Sequence, residues 1–312
     1  MKDKTILVTG GAGFIGSHLV DALIEKNHVI VYDNLSSGKI DFIKNHFDNP
    51  RFKFIKGDLL DKKEINNALN VDIVYHCAAN PDVRTGMIDP KVHLEQNIIA
   101  THNLLEGMRE NDVDCIIFPS TSTVYGDALI LPTPEDYGPL LPISLYGASK
   151  LGCEALISAY CHTFDMRACI FRFANVVGER GTHGVIVDFI DKLRKNPREL
   201  EILGDGTQTK SYIHIKDCVD AILFGVEKAR ERVEIYNIGS EDQITVKEIA
   251  EIVCNEMGLK NVRFKYTGGF EGRGWKGDVK LMLLDIKKIK ERGWKPKFNS
   301  REAIRDAVRS LL

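Results

Sequence analysis

The feature that most constrains the fold is a glycine-rich segment, Gly10 to Gly16, between an apolar run and an amphipathic run. Residues 5–9 have the length and the β-branched side chains of a buried strand, and the pattern after the glycines is helical. The spacing Gly11-x-Gly13-x-x-Gly16 permits a tight turn and a close approach of the backbone to a pyrophosphate, whose charge the N-terminus of a helix stabilises. A chance glycine-rich turn is the alternative, and the flanking strand and helix favour the phosphate loop.

Strand patterns and helical patterns continue to alternate through the first half of the chain. The strand patterns cover 28–33, 52–58, 73–79, 115–121 and 167–173, and the helical patterns cover 61–69, 90–110 and 144–164. Strands that are apolar on both faces and separated by helices predict a parallel sheet covered by helices. The predicted fold class is α/β, a Rossmann-type doubly wound parallel sheet that the strand at 167–173 completes.

The second part of the chain has more turn signals and shorter elements, with helical patterns at 216–229 and 245–257. This change predicts a smaller C-terminal α/β substrate lobe. We place the Rossmann domain at residues 1–178 and the substrate lobe at residues 179–312, with later segments free to return to the first domain.

Composition excludes several classes of partner. The 42 basic and 44 acidic residues are intermixed and give a net charge of -2, so we expect no nucleic-acid partner. No run approaches the roughly 18 consecutive apolar residues of a membrane span, and no charged leader precedes an apolar stretch, so we expect a cytoplasmic protein with no membrane partner. Seven scattered cysteines without a CxxC pair predict reduced thiols and no metal site.

Two carboxylates that follow predicted strands are candidates for binding the adenosine of a dinucleotide. Asp33 ends the second strand, at the separation from the glycines where a carboxylate accepts hydrogen bonds from ribose hydroxyls. A carboxylate there repels a 2′-phosphate, so NAD is favoured over NADP as the cofactor. Asp58 follows the third strand and is a candidate neighbour of the adenine. A turn-capping role for Asp33 and a solvated strand-end role for Asp58 are the alternatives.

Tyr146 and Lys150 are separated by four residues within the helical pattern at 144–164, so their side chains project from one face of the helix. A tyrosine has an ordinary pKa of about 10, and an adjacent ammonium group favours its phenolate. The pair is therefore a candidate general base for removing a proton from an alcohol. The alternative is an ordinary exposed helix pair.

Three segments together carry a family resemblance: TGGAGFIG at 9–16, STSTVYG at 120–126 and YGASK at 146–150. The chain resembles the extended short-chain dehydrogenase/reductase family. RFANVVG at 172–178, GDGTQTKSYIHIKD at 204–217 and NIG at 237–239 resemble its nucleotide-sugar branch, and within that branch the likeness is greatest to the UDP-glucose 4-epimerases. The resemblance runs nearly end to end.

The resemblance implies a role for each matching residue. Tyr146 is implied as the base. Lys150 is implied to bind the nicotinamide ribose and to lower the pKa of Tyr146. The hydroxyl of Thr121 is implied to hydrogen-bond the 4-oxygen of the sugar. With the residues above, the expected cofactor site comprises Gly10, Gly13, Phe14, Ile15, Gly16, Asp33, Asn34, Asp58, Leu59, Cys77, Ala78, Ala79, Asn97, Tyr146 and Lys150. The expected substrate site comprises Thr121, Asn175, Lys210, Arg273 and Asp278.

The substrate residues depart from the family pattern in two places. Lys210 stands where an arginine usually binds the nucleotide diphosphate, and a lysine lacks the bidentate fork. Arg273 is the candidate that compensates, although Trp275 stands close to where a second arginine usually falls. Asp278 is expected to contact the uridine ribose. The alternatives are that Arg273 is a solvated loop arginine and that Asp278 only caps a turn.

The residues after Thr121 indicate the reaction. Dehydratases of this branch carry an acidic pair there and related decarboxylases carry a glutamate, whereas this chain has Ser122 and Thr123. The resemblance then implies epimerisation of a UDP-sugar, with UDP-glucose and UDP-galactose as the expected pair: oxidation at C4, rotation of the ketose and hydride return. NAD is not consumed in such a cycle and must stay bound.

Several alternatives stay open. They are 4-epimerisation of UDP-N-acetylglucosamine or UDP-glucuronate, a 4,6-dehydratase, and a non-catalytic sensor of NAD or nucleotide sugar. The resemblance also implies a role in galactose metabolism and a homodimer formed through the helices at 90–110 and 144–164.

Overall fold

Residues 2–312 are described by a computed structural model in which strands and helices alternate along the chain. The strands are β1 (Thr5–Thr9), β2 (His28–Asp33), β3 (Phe52–Lys56), β4 (Ile73–His76), β5 (Cys115–Thr121), β6 (Arg167–Phe173), β7 (Asn175–Val177), β8 (Glu199–Ile202), β9 (Thr209–Lys210), β10 (Tyr212–His214), β11 (Val233–Ile238), β12 (Ile244–Thr245), β13 (Arg263–Tyr266) and β14 (Leu281–Met282). The helices are α1 (Phe14–Leu23), α2 (Lys62–Asn66), α3 (Thr85–Ile88), α4 (Lys91–His93), α5 (Ala100–Glu110), α6 (Leu145–Thr163), α7 (Val185–Lys195), α8 (Ile215–Lys228), α9 (Val246–Glu256), α10 (Lys287–Glu291) and α11 (Ser300–Leu311).

The predicted doubly wound sheet is confirmed. Seven parallel strands lie in the order β3-β2-β1-β4-β5-β6-β11. The order reverses between β1 and β4, where Thr9 is paired with His76 at the carboxyl ends of the two strands. In sheets of this kind, ligands bind in the crevice outside the carboxyl ends at that reversal.

The prediction that the strand at 167–173 completes the sheet is wrong, because β11 pairs with the outer edge of β6. Ala168 donates to the carbonyl of Arg232 at 2.9 Å, and Ala174 donates to the carbonyl of Ile238 at 2.8 Å. Six of the seven residues of β6 are buried, so an unpaired outer edge would leave buried backbone groups without partners. The chain returns after α8 to supply them.

The helical pattern at 90–110 is only partly α-helical. Between α4 and α5, residues Leu94–Ile99 form a π-helical turn, which carries one more residue per turn than an α-helix and is frequent at functional sites. Asn97, in this turn, is fully buried. The local change of helix type therefore places a polar side chain inside the fold.

The chain forms two compact units, each built from three segments. The first unit comprises residues 1–120, 148–171 and 222–236, and the second comprises residues 121–147, 172–221 and 237–312. The core of the first includes Leu7, Val74, Leu104, Ile116 and Ile157. The core of the second includes Phe189, Leu200, Ile249, Val253 and Ile304.

Within residues 2–312, no helix combines the length and the apolar character needed to cross a membrane. The seven cysteines are free thiols. The same residues contain no group of three or more His, Cys, Asp or Glu side chains that could hold a metal ion.

Candidate active site

The phosphate loop in the first unit leaves no room for side chains at two of its glycines. Gly10 has a φ of +65° and donates to the carbonyl of Tyr32 at 2.9 Å. A Cβ at Gly10 would lie 2.6 Å from the backbone nitrogen of Ala78, and a Cβ at Gly16 would lie 2.2 Å from the carbonyl oxygen of Gly10. Only glycine permits both the positive φ and these close approaches, so the loop, the start of α1 and the chain after β4 meet backbone to backbone.

The N-terminus of α1 is open to an anion. Gly13 is the N-cap residue, and no side chain in the described part of the chain caps this end. The first turn, which begins with Phe14 and Ile15, carries no acidic residue. The helix dipole and the unsatisfied amides of such an end favour a phosphate.

Asp33 lies beside the phosphate loop with its carboxylate buried. Its Oδ2 accepts from the N–H of Ala12 at 3.0 Å and its Oδ1 accepts from the N–H of Leu35 at 2.8 Å. Burial raises the pKa of Asp33, and the two backbone N–H groups oppose this rise. The turn-capping role foreseen for Asp33 therefore exists and also fixes where the carboxylate stands.

Asp58 connects the loops that follow β2 and β3. Its Oδ2 accepts from Nδ2 of Asn34 at 3.0 Å, and its Oδ1 accepts from the N–H of Leu60 at 2.9 Å. Its carbonyl accepts from the hydroxyl of Tyr32 at 3.1 Å. Leu59 is buried, and its carbonyl accepts from Nδ2 of Asn103 at 2.9 Å.

The segment Cys77-Ala78-Ala79 leaves the sheet at the carboxyl end of β4. The N–H of Cys77 donates to the carbonyl of Thr9 at 3.0 Å. Burial raises the pKa of the Cys77 thiol to about 12, although Lys150 opposes the rise. This thiol is therefore protonated at neutral pH.

Asn97 connects the loop after β4 to α6. Its Oδ1 accepts from the N–H of Asn80 at 2.8 Å, and its Nδ2 donates to the hydroxyl of Ser149 at 2.8 Å. Ser149 directly precedes Lys150, so Asn97 holds the turn of helix that carries the lysine.

Lys150 is a buried ammonium group. Its side chain is 4% exposed, and Nζ lies 3.8 Å from the ring centroid of Phe118. Burial lowers the pKa of Lys150 to about 8, against the opposing influence of Cys153, Cys77 and Glu154. Nζ donates no hydrogen bond to any of residues 2–312.

These features of the first unit fit NAD. The phosphate loop and the bare N-terminus of α1 suit a pyrophosphate, and the buried carboxylate of Asp33 suits a ribose diol. Lys150 has the donors that a second ribose diol would accept. Each feature is a buried or closely packed group whose polar atoms match one part of a dinucleotide.

The predicted catalytic hydroxyl lies in the second unit. Oγ1 of Thr121 is 3.1 Å from Oγ1 of Thr123 and accepts from the N–H of Thr123 at 3.2 Å. A Cβ at Gly147 would lie 2.7 Å from the carbonyl oxygen of Thr123. The residue after Tyr146 therefore packs directly on the turn that presents these hydroxyls, and Tyr146 itself is half-buried at the start of α6.

Sequence reasoning missed a buried polar network in the same unit. The hydroxyl of Tyr125 donates to Oδ1 of Asn237 at 2.8 Å and accepts from Nη1 of Arg172 at 2.9 Å. Arg172 also donates to the carbonyl of Glu135 at 3.0 Å, and Oε1 of Glu135 accepts from the N–H of Asn237 at 2.8 Å. Burial raises the pKa of Tyr125 to about 12. The network anchors the turn Ser122–Tyr125 from its far end.

The predicted diphosphate residues are each paired with a carboxylate. Nζ of Lys210 donates to Oδ1 of Asp278 at 2.6 Å and lies 6.0 Å from the centroid of Trp275. Arg273 forms a two-bond pair with Asp127, at 2.9 Å for both bonds, and donates to the carbonyl of Asp278 at 2.7 Å. The geometry therefore brings together Lys210, Arg273 and Asp278, three of the residues expected to bind the substrate, and adds Asp127.

Asn175 begins β7, which pairs in parallel with β10. Its Nδ2 donates to the carbonyl of Ser211 at 3.2 Å. Ser211 follows Lys210 in the chain, so Asn175 lies next to the strand end that carries the lysine.

The fold and these residues define an α/β protein with a dinucleotide-binding loop and a Tyr-xxx-Lys pair on the helix that follows β5. The NAD dependent epimerase/dehydratase family matches residues 6–239, and the chain belongs to this family. The predicted membership of the extended short-chain dehydrogenase/reductases and the predicted cofactor, NAD, are confirmed.

Several relatives of this chain are nucleotide-sugar enzymes by name. A putative UDP-glucose 4-epimerase from Methanocaldococcus jannaschii is 39% identical over 311 residues, which cover 97% of each chain. A crystal structure of a UDP-galactose 4-epimerase is 42% identical, covers 98% of both chains and has a TM-score of 0.88. UDP-glucuronic acid decarboxylase 5 from Arabidopsis thaliana is 35% identical over 313 residues, which cover 97% of this chain and 88% of the relative. The chain is thus similar to enzymes that differ in reaction and in sugar.

Proposed function

We propose that this chain is a NAD-dependent UDP-sugar 4-epimerase that interconverts UDP-glucose and UDP-galactose. The observation that carries the proposal is the turn at Thr121, which offers two hydroxyls 3.1 Å apart and no carboxylate. Eliminating water from a sugar, or releasing its carboxyl group, demands a further acid or base. Hydroxyls suit a reaction that only removes and restores one proton at the 4-oxygen.

Three side chains perform the proton chemistry in this proposal. Tyr146 takes the proton from the 4-hydroxyl as general base and returns it later. Thr121 hydrogen-bonds the 4-oxygen, and its partner Thr123 orients that hydroxyl. Lys150 stands one helical turn from Tyr146 on α6, binds the nicotinamide ribose and stabilises the phenolate by its charge. NAD, when bound, supplies the acceptor and donor for the C4 hydrogen.

The second unit binds the nucleotide end of the substrate in this proposal. Lys210 and Arg273 hold the diphosphate, Asp278 meets the uridine ribose, and Asn175 faces the sugar nucleotide. A diphosphate anchor lets the sugar turn while the nucleotide stays bound, which epimerisation at C4 requires. The first unit retains NAD through the phosphate loop and Asp33.

We also propose a homodimer formed through the helical segments 90–110 and 144–164. Leu94 and Ile99 in the first segment are 49% and 41% exposed, which supports a surface that a second copy covers. Light scattering on the purified protein tests this, and a monomeric mass at micromolar concentration would contradict it.

A substrate panel tests the proposed reaction. The NAD-loaded protein is incubated separately with UDP-glucose, UDP-galactose, UDP-N-acetylglucosamine, UDP-glucuronate and dTDP-glucose, and products are followed by proton NMR. We expect UDP-glucose and UDP-galactose to reach the same mixture from either side, without net formation of NADH. If only UDP-N-acetylglucosamine or only UDP-glucuronate is epimerised, the proposed reaction stands and the proposed substrate is wrong.

Three other outcomes reject the epimerase. A 4-keto-6-deoxy product identifies a dehydratase, and loss of the carboxyl group from UDP-glucuronate identifies a decarboxylase. Binding of UDP-sugars without any turnover identifies a sensor.

A further inference from the structure

Asp127 and Arg273 form an ion pair across a separation of 146 residues in the chain. Nη1 donates to Oδ1 and Nη2 donates to Oδ2, both at 2.9 Å. The arginine side chain is 19% exposed and that of the aspartate 47%. No motif of the sequence marks Asp127 for this role.

The bonds of Arg273 leave one edge of its guanidinium group available. A guanidinium has five N–H donors: one on Nε and two on each Nη. Nη1 uses both of its donors, one toward Asp127 and one toward the carbonyl of Asp278 at 2.7 Å. Nη2 uses one donor toward Asp127. Within residues 2–312, no acceptor bonds the second N–H of Nη2 or the N–H of Nε. These two N–H groups lie on the same edge of the guanidinium group and together form a side-on fork.

We propose that Asp127 is a positioning residue, which holds Arg273 by its Nη1/Nη2 end so that the Nε/Nη2 edge is presented to the diphosphate of the substrate. The inference rests on the proposed function, in which Arg273 binds that diphosphate. A side-on fork matches two oxygens of a phosphate, so Asp127 and the diphosphate occupy different edges of one guanidinium group and do not compete.

Both partners of the pair have restrained backbones. Gly126 has a φ of +64°, and a Cβ there would lie 2.0 Å from the carbonyl oxygen of Leu141. Arg273 and Phe270 exchange backbone hydrogen bonds of 2.9 Å and 3.2 Å across a tight turn. Orienting a flexible arginine before the substrate arrives removes an ordering penalty from binding.

The properties of Lys210 explain why an oriented Arg273 is needed at this site. Lys210 presents a point charge rather than a fork, and its ammonium is already bonded to Asp278 at 2.6 Å. Arg273 is therefore the residue of the proposed diphosphate site that offers bidentate recognition. The orientation of Arg273 then determines how much the diphosphate adds to the affinity for the nucleotide.

Binding measurements on NAD-loaded protein test the role without turnover. UDP affinity is measured by calorimetry and uridine affinity by competition NMR, for wild type, Asp127→Asn, Arg273→Ala and the double variant. We expect Asp127→Asn to weaken UDP binding ~10-fold and to change uridine binding less than about twofold, because only the phosphate contact depends on the arginine. In the Arg273→Ala background, Asp127→Asn should have no further effect.

Asp114→Asn is the matched control, because Asp114 forms another exposed Asp–Arg pair, at 3.4 Å from Arg167. It should leave UDP affinity unchanged. Unchanged or tighter UDP binding in Asp127→Asn overturns the inference. Unchanged binding would mean that Asp127 does not position Arg273, and tighter binding would mean that Asp127 competes with the diphosphate for Arg273. Equal weakening for UDP and uridine also overturns it, because that pattern reports general damage. If the variants show the expected binding pattern but the wild-type protein epimerises no sugar of the panel, the role of Asp127 is supported and the proposed reaction is rejected.

Discussion

Thr9 and His76 are joined by a 2.8 Å hydrogen bond at the reversal point of the sheet, and this bond is the first of a buried directional chain. Thr101 donates to Sγ of Cys153 at 3.2 Å, so it accepts from Nε2 of His76 at 2.9 Å. Nδ1 of His76 therefore accepts from Thr9. Cys153 in turn donates to the carbonyl of Asn97 at 3.4 Å. The network assigns His76 as a neutral ring protonated on Nε2.

The buried His76 gives a first prediction, on stability against pH. Burial and, to a lesser degree, Lys150 lower the pKa of His76 from about 6.5 to about 3. Between these values the unfolded chain binds a proton that the folded chain does not, so stability falls as the pH falls from about 6.5 towards 3. We expect His76→Gln to remove up to about 1.4 kcal/mol of this loss per pH unit.

Urea unfolding at pH 7.5, 6.0 and 5.0 measures this difference. His162→Gln, at an exposed position on α6, is the control and should follow wild type. Parallel stability curves for wild type and His76→Gln would show that His76 does not supply the dependence.

Lys150 gives a second prediction, in which stability and activity move in opposite directions. Its pKa is lowered from about 10.5 to about 8 by burial, so at pH 7 most of the folded NAD-free protein carries a buried charge. A tenfold change in a protonation equilibrium corresponds to about 1.4 kcal/mol, so the lowering of the pKa from about 10.5 to about 8 corresponds to about 3 kcal/mol. We expect Lys150→Met to stabilise the NAD-free protein by up to about that amount at pH 7. The same variant should lose activity at least about a hundredfold.

The gain in Lys150→Met should shrink between pH 8 and 10.5, because wild type then sheds the proton on folding and its own stability rises. Thermal unfolding of NAD-free protein at pH 7 and pH 9.5 measures both effects. A destabilised Lys150→Met at pH 7 would contradict the buried-charge account.

Features that lie within one short stretch of chain were predictable from the sequence. The phosphate loop depends on the turn between β1 and α1, and the Tyr146–Lys150 spacing depends on one helix. Local periodicity and glycine placement are enough for both. The same patterns predicted α8 and α9 within one residue of their starts.

Features made by residues distant in the chain were not predictable in this way. Asp127 and Arg273 meet only because two loops of the second unit fold together, and β11 joins β6 after an intervening 59 residues. A weak signal was present for His76, a polar residue at the end of an otherwise apolar strand. Burial of such a residue requires partners, but its sequence neighbours do not say which ones.

A third prediction concerns the proposed base. Tyr146→Phe keeps the ring but removes the hydroxyl that exchanges the proton, so kcat should fall at least about a hundredfold with little change in NAD content. Tyr160→Phe is the control, because Tyr160 lies on the same helix and its hydroxyl donates to Glu106 at 2.8 Å in the first unit. Initial rates with UDP-galactose and the absorbance of bound NAD measure the two effects. Near-normal turnover in Tyr146→Phe would remove the tyrosine from the mechanism.

A fourth prediction concerns the buried network that anchors the turn Ser122–Tyr125. Tyr125→Phe removes a hydroxyl that serves Arg172 at 2.9 Å and Asn237 at 2.8 Å, and leaves two buried polar groups each short of one partner. Such a loss costs about 1–3 kcal/mol, so the melting temperature should fall by several degrees. Tyr266→Phe, at an exposed position, should melt as wild type does. Unchanged melting of Tyr125→Phe in differential scanning calorimetry would mean that these two hydrogen bonds contribute little to stability.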